Sequence, residues 1–135
     1  MHNHYSVMFV IMILAGALST MNVWADTLDD IRFSLNDAYM ILLMTGWMLL
    51  FMGLYYRSTA PILIGLALVV SNIVAIRTQA FVTEDQFLQG MIPHHSMAVL
   101  MSKRLIGRPN SIGPFLSEII TTQEKEITFM KKRLK

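Results

Sequence analysis

Two adjacent histidines, His94 and His95, stand in a stretch that reads Met91-Ile92-Pro93-His94-His95 and runs on to Met101. The chain has no cysteine and twelve methionines, so imidazole and thioether are its only soft or borderline metal ligands. Together these suit Cu(I), and imidazole with a carboxylate oxygen also accommodates Cu(II). The candidate ligands are His94, His95, Met91, Met101 and, from a later segment, Met130. Gln123 or Glu126 is suited to accept the second ring N–H of a ligating histidine and so fix its tautomer. A plainer alternative stays open, in which the histidines are core residues bonded to Gln123 and Glu126 and the methionines are ordinary packing.

Two helices must position these groups. Thr83-Glu84-Asp85-Gln86 is a capping-box pattern with two acids opposite the positive end of a helix dipole, so a helix starts there. Phe87, Leu88, Met91, His94, His95, Ala98, Met101 and Leu105 follow at three- and four-residue steps on one expected face, and Gly107 with Pro109 stops the helix. Asn110 or Ser111 is the expected cap of a second helix, which tolerates Pro114 in its first turn. Its expected inner stripe is Leu116, Ile119, Ile120, Gln123, Ile127, Met130 and Leu134, with Lys125, Lys131 and Lys132 pointing away.

The short connection makes the pair antiparallel, so heights along it can be compared. His95 and Gln123 both stand ~18 Å from the turn at the rise of an α-helix, and are expected to face each other. Met91 comes level with Ile127, within a turn of Glu126 and Met130. Pro93 removes an amide just before the histidines, and Gly90 eases the bend that this permits.

The remainder of the chain belongs in an apolar solvent. Hydrophobic residues make up 54% of the sequence and charged ones only 15%, which points to a membrane protein. Nine of the eleven Lys and Arg lie after Ile76, so residues 1–76 carry net −2 and residues 77–135 net +4. Uncharged runs at 5–24, 38–56 and 60–76 are each of spanning length, the last two as an antiparallel hairpin. The first run competes with a signal peptide cut after Ala25, but no basic residue precedes it and it is long for a signal core. Trp47 lies mid-run, where packing against a neighbour is its simplest role.

These runs give an expected membrane domain over 1–78 and a polar helical hairpin over 83–135. A polar part of this size is near the lower limit for an independent core, so an oligomer or membrane partner is expected. Met40, Met44, Met48 and Met52 recur every fourth residue in the second run, read either as packing or as a copper relay. His2 and His4 read as a solvated terminus, with weak metal binding as the alternative, and with three spans they lie across the membrane from His94 and cannot share its site.

Phe87-Leu88, Met91-Ile92-Pro93-His94-His95, Ala98-Val99 and Met101 together resemble the signature of the domain of unknown function 305 family. Ile119-Ile120, Gln123, Glu126-Ile127 and Met130 are similar to its second motif, and three spans before the hairpin resemble its membrane-bound members. The resemblance implies a ferritin-like helical fold, here as a half-bundle because only one hairpin is present. It also implies an extracytoplasmic, periplasmic position at the inner membrane and, in some members, copper binding or tolerance.

The fold expected is all-α, with three transmembrane helices and then an amphipathic hairpin. The function expected is membrane-anchored copper binding, with a non-metal interaction subunit and copper movement along the methionine stripe as alternatives. No triad, phosphate loop or cofactor fingerprint is present, and no catalysis is expected. The basic tail, with Lys131, Lys132, Arg133 and Lys135, reads as a solvated or lipid-headgroup face and not as a nucleic-acid site.

Overall fold

Apolar runs and amphipathic stripes fold into five α-helices in the computed structural model of the chain, and among the described residues there is no strand. Residues 2–134 are described, with side chains from His4 onward. The readings of the His2 and Lys135 side chains therefore fall outside them.

The chain divides into two compact units. The first combines residues 1–20 with 35–82 and holds α1 (His2–Ala17), α2 (Leu35–Tyr56) and α3 (Thr59–Thr78). Three stretches, His4–Trp24, Leu35–Tyr56 and Thr59–Thr78, are long and apolar enough to cross a membrane. The first of them is α-helical only as far as Ala17 and becomes a 3₁₀ turn over Met21–Trp24.

Glycines let α2 and α3 pack closely. A Cβ placed on Gly65 would lie 2.5 Å from the Leu50 amide nitrogen and 2.6 Å from the Gly46 carbonyl, so here the backbones themselves touch. Gly53 meets Pro61 and Ile62 nearer the turn, which makes the pair antiparallel. Two buried polar groups in these helices bond to their own backbone: Thr45 donates to the Ile41 carbonyl at 2.9 Å and Asn72 to that of Leu68 at 2.7 Å. At the other end, the Asn36 and Gln79 amides bond reciprocally at 3.0 Å, and the Tyr39 hydroxyl donates to the Ala80 carbonyl. Trp47 stacks on Phe51 of its own helix at 5.6 Å and is exposed.

The second unit is larger than the expected hairpin. Residues 21–34 join α4 (Glu84–Ile106) and α5 (Gly113–Arg133) in it, as a strap with a second 3₁₀ turn at Leu28–Asp30. Thr83 caps α4 as expected, accepting the Gln86 amide at 3.3 Å. Gly107 ends α4 with φ −79°, so the conformational freedom of glycine is not used there. The cap of α5 is Ile112, and neither Asn110 nor Ser111 takes that role. Asn110 instead shapes the turn, its side-chain oxygen accepting the Ile112 amide at 3.0 Å while its amide donates to the Arg108 carbonyl at 2.8 Å.

The core of this unit is Leu88, Ile92, Val99, Ile127 and Met130, with Met91, Ile120 and Leu134 packed against it. The expected stripe of α5 is buried or half-buried throughout. That of α4 needs rotating, because Ile92, Pro93, Ser96, Val99 and Ser102 are buried while His94 and Met101 are exposed. The strap is the cause: it covers a flank of α4 that an isolated hairpin would leave in water.

Candidate metal-binding site on the hairpin

His95 lies mid-way along α4 and is half-buried. Its Nδ1 is 2.9 Å from the Met91 carbonyl oxygen one turn back, and its Nε2 is 2.6 Å from Glu126 Oε2 on α5. The first contact requires Nδ1 to carry a proton and donate it, which fixes the ring and leaves Nε2 as the nitrogen that meets the carboxylate. A metal ion bound by Nε2 or by the carboxylate would compete with that contact.

The expected partner, Gln123, is half-buried one turn earlier on α5. The height count missed by that turn because Cα–Cβ bonds in a helix lean toward its N-terminus. His95 therefore leans back toward Met91, which is level with Ile127, and meets Glu126.

The other candidates scatter. His94 is exposed, its ring 6.3 Å from that of His95 with the planes 63° apart. The Met91 side chain is half-buried against the core, and Met130 is within the core. Met101 is 59% exposed and lines a separate surface depression with Arg104, Arg108 and Leu116. The structure thus brings together His95, Glu126 and the Met91 backbone with His94 beside them. It gives Met130 a packing role and sets Met101 apart. Among the described residues, no three His, Asp or Glu side chains gather closely enough to hold a metal ion. A metal on this hairpin would take the His95 imidazole and a Glu126 oxygen, with His94, a thioether or a second copy of the chain completing its shell.

A second polar cluster was not legible in the sequence. The fully buried Ser96 hydroxyl accepts the Asp26 amide at 2.8 Å and donates to Asp30 Oδ2 at 2.7 Å. Lys131 pairs with Asp29 at 2.7 Å and with Asp30, and Lys103 pairs with Asp26 at 2.9 Å and Glu124 at 3.2 Å. All of these groups except Asp29 line a cavity of about 320 Å³ between the strap and the hairpin. Lys131 consequently faces the strap and does not point away.

Burial opposes ionisation of Asp30, but hydrogen bonds from Lys131 and Ser96 and the Lys131 charge outweigh it and hold the carboxyl below the usual carboxylate range. The hydrogen bond and charge of Lys131 lower Asp29 as well. Hydrogen bonds to these acids raise Lys131, and those to Asp26 and Glu124 raise Lys103. The only signals in the sequence were three acids crowded into 26–30 and a small polar residue at 96, separated by some seventy positions.

Residues 70–134 match the model of the family described as Domain of unknown function (DUF305). An uncharacterised protein of Acanthamoeba polyphaga mimivirus is 42% identical over 135 residues, an alignment that covers 95% of this chain and 89% of the relative. No solved structure matches.

Proposed function

The chain belongs to the DUF305 family, and on that premise we propose that it is a membrane-anchored protein that binds or hands over copper outside the cytoplasm. The spanning-length helices of the first unit supply the anchor, and the hairpin carries the metal site as a ferritin-like half-bundle. A relative spans both parts, so the anchor and hairpin are read as one protein. The observation that carries the proposal is the His95 ring, held by the Met91 carbonyl with Nε2 against Glu126 and with His94 exposed alongside. A backbone carbonyl orienting Nδ1–H is the usual way a ligating imidazole is aimed. The exposed, incomplete donor set suits exchange of the metal or completion by a second copy. Titration of the purified full chain with Cu(I) and with Cu(II) tests it. Binding above that of a His94→Ala/His95→Ala double variant is expected, and equal binding by the two proteins rejects the assignment.

One observation favours a second reading, in which the protein is a helical interaction subunit. Both ring nitrogens of His95 already have partners within the chain, which is what a structural histidine needs. On that reading His95→Ala loosens the hairpin, as faster amide exchange in α4 and α5, with metal binding unchanged.

A further inference from the structure

The packing of α1 on α2 juxtaposes donors that the sequence places far apart. Gly16, near the end of α1, lies against Met44 and Ile41, so the two helices run antiparallel and the start of α1 meets the end of α2. At that end a cavity of about 220 Å³ is lined by His4, Tyr5, Met8, Met52 and Tyr56. His4 and Met8 are one turn apart and share a face of α1, as Met52 and Tyr56 do on α2. Of the methionines recurring every fourth residue along α2, only Met52 reaches this cavity.

The lining specifies the chemistry. It offers one imidazole, two thioethers and two phenols, and no carboxylate, so hard divalent ions lack the oxygen donors they require. Thioether with imidazole is the donor set of a soft monovalent cation. His4 is exposed whereas Met8 and Met52 are half-buried, so the imidazole is open to solvent and the softer donors lie behind it. The methionine side chain has three rotatable bonds, which lets each thioether reorient within the cavity. We propose that His4, Met8 and Met52 form a soft-cation site for Cu(I), or its redox-inert analogue Ag(I), at one end of the first unit and independent of His94 and His95.

The test uses the full-length chain in detergent, in a His94→Ala/His95→Ala background that removes the hairpin histidines. Calorimetric titration with Ag(I) is expected to show about one ion bound per chain. Adding Met8→Leu/Met52→Leu is expected to weaken that binding at least tenfold, and His4→Ala to weaken it measurably. Met40→Leu, outside the cavity, should leave it unchanged. Because substitution at a helix contact can disturb folding, the unsubstituted chain labelled at its methionine methyl carbons gives a second readout, with Met8 and Met52 expected to shift on Ag(I) addition and Met40 to stay in place. No Ag(I) retained in the histidine-free background, or undiminished binding after Met8→Leu/Met52→Leu, overturns the proposal. Failure of the hairpin reading looks different: there the histidine-free background matches the wild type while the cavity variants lose ions.

Discussion

Ser96 shows how much one small side chain can hold. It is fully buried, accepts one hydrogen bond and donates another, and links two points of the strap to α4. Ser96→Ala takes one donor from the Asp30 carboxylate, which keeps its Lys131 pair, and leaves the Asp26 amide without its acceptor. Leaving such a group unsatisfied costs about 1–3 kcal/mol. Amide exchange in residues 21–34 should accelerate accordingly, while exchange in α2 and α3 should not change. Glu126 is the residue on which the metal proposal is most exposed. Glu126→Gln keeps a group that fits against His95 but lowers the basicity of the oxygen, and changes of this kind weaken metal binding by about 10–100-fold. Copper titration of the variant beside wild type checks this, and an unchanged affinity would remove Glu126 from the site.

At the scale of the helix, closeness of approach is what glycine decides here. Gly65 meets backbone atoms of α2, which have no rotamer to turn aside, so Gly65→Ala must push α2 and α3 apart. Overpacking of this kind costs about 1–3 kcal/mol, to be read as a lower thermal midpoint of helix loss in detergent. Gly107→Ala is the control: its φ is negative and a Cβ there finds its nearest neighbours at 3.8 and 3.9 Å, so the midpoint should hardly move. Gly90 is a milder case, because its neighbour is a side chain. A Cβ there would come within 3.0 Å of the Ser34 hydroxyl oxygen, so this glycine makes room for the strap, whereas the sequence suggested only an easier bend before Pro93.

For the chain as a whole, the charge pairs that close the strap over the hairpin set a pH window. Asp29 and Asp30 are held below their ordinary value of 3.8, so their contribution is present above it and is lost as pH falls through the lowered values. Lys103 and Lys131 are held above their ordinary 10.5, so their contribution is complete below it and is lost as pH rises through the raised values. Trp24 sits in the strap and reports on it once Trp47 is replaced by Phe. Its fluorescence should stay flat from about pH 5 to about pH 9, changing on the acid side only below the ordinary carboxylate value and on the alkaline side only above the ordinary lysine value. Asp30→Asn should shrink that acid change, and a transition centred above about pH 5 would contradict the assignment of these carboxylates.

The sequence by itself determined what depends on neighbours three or four residues away. Three apolar runs gave the spanning-length helices, Thr83 gave the start of α4, and the inner stripe of α5 was read correctly from Leu116 to Leu134, because period and capping are local properties. The pairing of α4 with α5 was also legible, since a short turn leaves no other arrangement. Only the tertiary structure decided which face of α4 is buried, which carboxylate meets His95 and where Lys131 points. Each of these depends on a segment distant in the chain or on the lean of a side chain, and neither is encoded in spacing. The same holds for His4 and Met52, which no periodicity relates and which one helix contact brings to a single cavity. His94 and His95 could be picked out as candidate ligands from residue type alone. That one is exposed and the other is held between Met91 and Glu126 had to come from packing.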